Sequence, residues 1–136
     1  MMQELTLMAT LENVQTAVSF AEELLEEMDC PLKAQMQVAV AVDEVFSNIV
    51  HYAYGDETGE ATIRLERLED PACVEVTFLD RGKPYDPLTQ EDPDVTLSAE
   101  ERAIGGLGIF IVKKTMDQVR YEYRDGQNIL TIRKSL

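Results

Sequence analysis

The segment 37–54, which reads QVAVAVDEVFSNIVHYAY, constrains the fold of this chain more than any other part of the sequence. Apolar residues recur in it at steps of three or four, which is the period of an α-helix. These residues are Val38, Val42, Val45, Ile49 and Ala53, with Phe46 and Val50 widening the stripe. One side of the predicted helix must therefore face a core.

Two polar residues of this helix, Glu44 and Asn48, lie four positions apart and so share one helical face. One interpretation puts them at the edge of the apolar stripe, in contact with water or a backbone group. The other has both point into a cleft, where the carboxylate can accept a proton and the amide oxygen can bind a hard cation such as Mg²⁺. Asp43 points about 100° away around the helix and is expected to meet solvent or a residue of a lid, and it is not the expected metal ligand.

The length and composition of the chain predict one globular domain spanning residues 1–136. No apolar run is long enough for a membrane span, and the first residues lack the positive charge of a signal peptide. We therefore expect a cytoplasmic protein with no membrane association. The two cysteines, Cys30 and Cys73, have no metal-like spacing and are expected to be reduced residues of the core or its boundary.

The formal net charge of −14 bears on the partners of the chain. Nucleic acids and anionic membrane surfaces would repel so acidic a protein. We therefore expect no nucleic-acid partner, whereas a basic protein partner fits this charge.

Alternating and helical patterns along the chain predict its fold. Alternation predicts strands at residues 3–8, 63–66, 74–79, 119–123 and 129–132. Helical spacing predicts a helix at residues 14–28, with Thr10 as a possible N-cap, and Pro31 suits the first turn of the central helix. This order predicts an α+β two-layer sandwich, in which a mixed, largely antiparallel sheet carries helices on one face.

The segment 84–104 has three prolines, many acidic residues and no sustained period. A loop of this length in a small domain is either functional or disordered, and we expect it to act as a lid. The run Gly105-Gly106-Leu107-Gly108 follows it and opens another helix. Glycines at the start of a helix let backbone N–H groups approach a phosphate closely, although a tight turn into the helix would need them as well.

The third chemical signal is Asp80-Arg81-Gly82, which directly follows a predicted strand. Taken alone, Asp80 is best explained as a side chain that caps the turn after the strand. Neither of two common nucleotide motifs is present: there is no GxxxxGK[ST], and Gly106-Leu107-Gly108 lacks the third glycine of GxGxxG. Three short motifs therefore remain, each weak alone and specific only as an ordered set.

That ordered set resembles the GHKL ATPase superfamily, whose N, G1 and G2 boxes surround a Bergerat-type ATP pocket. More narrowly, AVDEVFSNIVHYAY, FLDRGKPYDP and GGLGIFIVKKTMDQVRY are similar to the bacterial anti-sigma-factor serine kinases. The resemblance covers nearly the whole chain. It implies an ATP- and Mg²⁺-dependent kinase that phosphorylates a serine of an anti-anti-sigma (STAS-type) protein, holds a sigma factor inactive in its other partnership, and forms a homodimer.

The resemblance also implies a role for each motif residue. Glu44 would be the general base and Asn48 the Mg²⁺ ligand, while Asp80 would read the adenine and Gly82 would let the backbone pass beneath the base. Residues Gly105, Gly106, Leu107 and Gly108 would flank the phosphates, and Arg102 would face them. Ile109 stands where leucine is common in the family, which is a small departure.

Two other functions remain open at this point. One is a nucleotide-gated binding module that sequesters a partner without transferring phosphate. The other is a stand-alone GHKL ATPase fragment that works with domains supplied in trans. The presence of Glu44 favours the kinase, and the absence of an additional predicted domain disfavours the fragment.

Overall fold

The computed structural model describes residues 2–89 and 106–136. Its helices and strands are, in order, β1 Met2–Met8, α1 Glu12–Glu27, α2 Leu32–Tyr52, β2 Glu60–Leu68, β3 Cys73–Asp80, α3 Gly106–Thr115, β4 Gln118–Arg124 and β5 Gln127–Ser135. A single 3₁₀ turn, Pro87–Thr89, follows β3. The central helix of the sequence is therefore a 21-residue helix, and each predicted strand is present.

The strands form one five-stranded sheet in the order β1-β2-β3-β5-β4. Every strand pair in the described part of the chain is antiparallel, so the mixed sheet that the sequence allowed is antiparallel throughout these residues. Consecutive strands are joined by tight connections in the β2–β3 and β4–β5 hairpins, and such connections require antiparallel partners. The α+β fold class is confirmed.

Helix α2 packs its apolar stripe between the other helices and the sheet. The alternation along the strands puts Ile63 and Leu65 of β2 and Phe78 of β3 into the same core as Phe46 of α2. Helix α2 contacts both α1 and α3, so the three helices form one layer. Cys30 and Cys73 are both free and both buried, as predicted.

Two helix starts differ from the prediction. Thr10 does not cap α1, because Leu11 takes the N-cap position with no side-chain hydrogen bond. Backbone carbonyls satisfy the first turn instead: the N–H of Asn13 donates to the carbonyl of Thr10 at 3.0 Å. Pro31 lies one residue earlier than expected, at the N-cap of α2. Proline suits that position because it has no N–H group to leave unpaired.

None of the helices within residues 2–89 and 106–136 combines the length and hydropathy that a membrane-spanning segment requires.

Candidate functional site

A cleft opens between α2 and the end of the sheet formed by β3, β5 and β4. Its lining residues are Val45, Asn48, Ile49 and Ala53 from α2, Phe78 and Asp80 from β3, Tyr85 and Pro87 from the following segment, and Tyr121, Asn128 and Leu130 from the β4–β5 hairpin. Most of this wall is apolar, and the few polar groups are concentrated at Asn48, Asp80 and Asn128. Such a wall suits a flat, partly apolar ligand that is oriented by a small number of hydrogen bonds.

Asp80 ends β3 and is only 6% exposed. Its Oδ1 accepts two hydrogen bonds of 2.9 Å, from the N–H of Gly82 and from Nδ2 of Asn128. The bond to Gly82 is the turn cap that the simpler interpretation of the sequence predicted. Both bonds within the described residues end on Oδ1, so Oδ2 is left as an acceptor for a ligand. Burial raises the pKa of Asp80, although the two hydrogen bonds oppose that shift.

Asn128 was not identified from the sequence, and it organises this end of the cleft. Its Nδ2 donates to Asp80 and to the carbonyl of Lys83, both at 2.9 Å. Its Oδ1 accepts the N–H of Tyr85 at 3.1 Å and the hydroxyl of Tyr121. One buried amide therefore holds the carboxylate of β3, the segment after it and the hairpin in one arrangement. The available signal was its alternation with Leu130 and Ile132, which puts position 128 on the buried face.

Gly82 is required by the end of α2. A Cβ atom at this position would lie 2.1 Å from the backbone oxygen of Ala53, a distance that no side chain tolerates. The next residue, Lys83, donates its N–H to the same Ala53 oxygen at 2.8 Å. The glycine therefore allows the segment after β3 to close over the C-terminal end of α2, and its position beneath a bound base stays a prediction.

Glu44 lies against the third residue of α3. A Cβ atom built on Gly108 would be 2.2 Å from Oε2 of Glu44, so the carboxylate occupies the space that this glycine leaves free. Partial burial raises the pKa of Glu44, and the negative charge of Asp43 raises it further. Asp43 itself is exposed, as predicted, and its Oδ1 accepts a hydrogen bond from the hydroxyl of Ser47 at 3.3 Å.

Asn48 lies one helical turn beyond Glu44 and lines the cleft. Its Nδ2 is buried and has no hydrogen-bond partner among the described residues. An unpaired polar group in a cleft wall costs free energy unless a ligand satisfies it. The described residues contain no cluster of three acidic, histidine or cysteine side chains that could enclose a metal. The unpaired Nδ2 is a hydrogen-bond donor and suits an oxygen atom of a ligand, whereas Mg²⁺ would have to be held by the amide oxygen of Asn48.

The structure brings several predicted residues together and leaves others outside its described range. Asn48 and Asp80 share the cleft, while Glu44 meets Gly108 where α2 contacts α3. Gly106 and Leu107 belong to the first turn of α3 rather than to a loop before it. The remaining predicted residues, Gly105 and Arg102, and most of the predicted lid lie outside the described residues.

The fold and the cleft have counterparts among known proteins. Residues 7–134 match the histidine kinase-like ATPase domain family, and the chain belongs to that family. It is 30% identical to serine-protein kinase RsbW of Listeria monocytogenes serovar 1/2a over an alignment of 126 residues, which covers 89% of this chain and 73% of that protein. Its identity to RsbW of Oceanobacillus iheyensis is also 30%, over 131 residues covering 89% of this chain and 72% of the relative. These similarities put the chain among the RsbW-type serine-protein kinases of the family.

A solved structure supports the fold independently. The RsbU and RsbW domains of a Mycobacterium tuberculosis protein match this structure with a TM-score of 0.73 at 17% sequence identity. The match covers all of this chain and 32% of that longer one, so the chain spans about a third of its length. The predicted Bergerat-type fold is confirmed, and membership in a family of ATPase domains implies that the chain uses ATP.

Alanine substitutions at Gly82 and at Gly108 should separate an effect on stability from an effect on activity. Gly82→Ala meets fixed backbone, so we expect it to lower the free energy of unfolding by roughly 1–3 kcal/mol. Gly108→Ala meets the end of a flexible side chain and should keep a free energy of unfolding near that of wild type, and if Glu44 is the general base, its displacement should slow phosphoryl transfer about 10- to 100-fold. Urea titration and a transfer assay on both variants measure these effects. Equal free energies of unfolding for the two variants would contradict the different surroundings described for Gly82 and Gly108.

Proposed function

We propose that residues 1–136 act as one domain, an ATP-dependent protein-serine kinase that phosphorylates a serine of an anti-anti-sigma (STAS-type) protein. In its other partnership the same domain sequesters a sigma factor in the cytoplasm. The observation that carries this proposal is the placement of Asp80 and Asn48 in one cleft, with Glu44 one helical turn away beside α3.

Adenine recognition rests on Asp80. Its Oδ2 is available to accept a hydrogen bond from the exocyclic amino group of adenine, because Oδ1 is already used by Gly82 and Asn128. Ile49 and Leu130 contribute apolar surface to the same cleft, where the faces of the base can be buried. A carboxylate held in one orientation favours a base that presents a donor at this edge.

Phosphate binding rests on the beginning of α3 and on Asn48. The first turn of α3 includes Gly106 and Gly108, and its N–H groups, which have no acceptor within the helix, give this end a partial positive charge that favours phosphate. The amide oxygen of Asn48 would hold Mg²⁺, whose charge offsets that of the phosphates. Gly105 and Arg102 are proposed to join this set, as the family resemblance implies.

Glu44 is proposed to be the general base. The serine oxygen of the acceptor attacks the γ-phosphorus, the bond to the β–γ bridging oxygen breaks, and ADP leaves with that electron pair. The serine proton passes to the carboxylate of Glu44. Burial, and then the negative charge of Asp43, raise the pKa of Glu44, which makes its carboxylate a stronger base than an ordinary exposed carboxylate.

The pH dependence of transfer should reveal the contribution of Asp43. Glu44 must be ionised to act, so the rate should fall as the pH drops through its raised pKa. Asp43→Asn removes the negative neighbour, lowers the pKa of Glu44 and should shift the acidic limb of the profile to lower pH. Rate–pH profiles of wild type and Asp43→Asn at saturating ATP test this. Identical acidic limbs would contradict the assignment of Glu44 as the base.

The kinase is distinguished from a nucleotide-gated binding module by one incubation. The purified chain, Mg²⁺-ATP and a candidate anti-anti-sigma protein are mixed, and phosphoserine on the acceptor is measured by mass spectrometry. The kinase predicts phosphoserine that requires ATP. If the chain captures a sigma factor in the presence of ATP but phosphorylates no such acceptor, the binding module is the better account.

A homodimer is also proposed, from the family resemblance alone. Sedimentation equilibrium with and without Mg²⁺-ATP measures it. A monomer under both conditions at concentrations well above those in the transfer assay would contradict it.

A further inference from the structure

Helix α2 has a second apolar stripe, on the side that faces away from the core. Leu32, Met36 and Val40 are 71%, 62% and 46% exposed, respectively. They recur at steps of four residues, so their side chains lie in one row along the first half of the helix. Single exposed apolar residues are ordinary, whereas a contiguous row marks a surface that another molecule covers.

Acidic residues are exposed on α1, the helix that packs against α2. The connection from α1 to α2 is short, so the C-terminal half of α1 runs alongside the N-terminal half of α2, against which it packs. That half of α1 exposes four carboxylates, on Glu22, Glu23, Glu26 and Glu27. Lys33 is the exposed basic residue between them and Met36. The helix that packs alongside the first half of α2 therefore exposes mainly acidic groups, in a chain whose net charge is −14.

We propose that the stripe Leu32–Met36–Val40 and the glutamates of α1 form the docking surface for an amphipathic helix of a partner protein. The helix that fits carries apolar side chains along one side and lysines or arginines along the edge that meets α1. A second copy of this chain fits poorly, because it would bring the same glutamates and the same net charge to the contact.

The stripe also leads toward the candidate base. Val40 precedes Glu44 by four residues, which is about 6 Å along the helix axis. The stripe thus ends about one helical turn before Glu44. The inference rests on the proposed function only in that the chain binds a protein partner, and it does not require phosphoryl transfer.

A synthetic peptide provides the test. The probe is a helical peptide with a row of leucines and lysines along one flank, and its binding to the purified chain is followed by fluorescence anisotropy. Leu32→Ser combined with Met36→Ser should weaken binding at least about tenfold, since it removes the central apolar contacts. Leu11→Ser is the matched control, because Leu11 is 64% exposed and lies outside the stripe. It should leave the affinity within about twofold.

A second pair of variants tests the charge separately. Glu22→Lys combined with Glu26→Lys should weaken binding of the lysine peptide at least about tenfold and strengthen binding of a peptide with glutamates in place of lysines. All these positions are exposed, so the thermal unfolding of the variants should match that of wild type. Binding should weaken as salt is added.

Three results would overturn the proposal. The first is that the lysine peptide does not bind wild type. The second is that this peptide binds wild type and the Leu32/Met36 variant equally well. The third is that wild type binds the lysine and glutamate peptides equally well. Sedimentation of the Leu32/Met36 variant adds a fourth: if it dissociates a wild-type dimer, the stripe is the chain's own interface. None of these measurements uses phosphoryl transfer, so a failure here is distinct from a failure of the kinase assignment.

Discussion

Replacing Glu44 by alanine should slow phosphorylation of the acceptor serine by roughly 10²- to 10⁴-fold, the usual contribution of a positioned general base. The affinity for ATP should stay close to that of wild type, because Glu44 does not line the cleft that holds Asp80 and is proposed to act on the serine rather than to hold the nucleotide. Titration calorimetry with Mg²⁺-ATP and a radiolabelled transfer assay measure the two quantities on the same protein samples.

Asp43→Ala is the matched control for this variant. It removes a carboxylate from the adjacent position, but Asp43 is exposed and hydrogen-bonded to Ser47 rather than directed toward α3. Its transfer rate at a pH well above the pKa of Glu44 should remain within about threefold of wild type. Transfer by Glu44→Ala at the wild-type rate would show that α2 does not carry the base.

Replacing Asp80 by asparagine should weaken ATP binding about 5- to 150-fold, which corresponds to the roughly 1–3 kcal/mol of a mispaired buried polar group. The asparagine oxygen can still accept the bonds from Gly82 and Asn128. Its NH₂ group then takes the place of Oδ2 and faces the amino group of adenine, so that two donors oppose each other. Calorimetry measures the loss, and unchanged affinity would contradict the adenine-reading role.

The same variant should not destabilise the fold. Burial raises the pKa of Asp80 above its value in the unfolded chain, so the ionised carboxylate costs folding free energy at neutral pH. That cost diminishes as the pH falls through the folded-state pKa, and a neutral asparagine does not have it. At neutral pH, Asp80→Asn should therefore unfold at the wild-type temperature or above it, which separates lost binding from lost structure.

The fold could be predicted because its patterns are local. The helical period around Val45 and Phe46 and the alternation along each strand specify which side chains are buried. Antiparallel pairing follows from the short connections within the two hairpins. Thr10 shows the limit of such local rules, because a backbone carbonyl can satisfy the start of a helix as well as a hydroxyl can.

The site was only partly predictable, because its polar groups act across the sheet. Asp80 and Gly82 form a recognisable local motif, whereas Asn128 is 48 residues away from Asp80 along the chain. Its partners are known only once β3 and β5 are paired, with Asp80 opposite Asn128 in the register. The need for Gly82 likewise depends on the approach of Ala53, which no spacing in the sequence reveals.

The most direct measurement is serine phosphorylation at saturating ATP by wild type, Asp80→Asn and Glu44→Ala, with one acceptor protein. If the cleft binds the nucleotide through Asp80, and Glu44 beside α3 activates the serine, filling the weakened site should restore Asp80→Asn to at least about half the wild-type rate. Glu44→Ala should remain roughly 10²- to 10⁴-fold slower under the same conditions. Recovery of both variants, or an Asp80→Asn rate as low as that of Glu44→Ala, would contradict this division of roles.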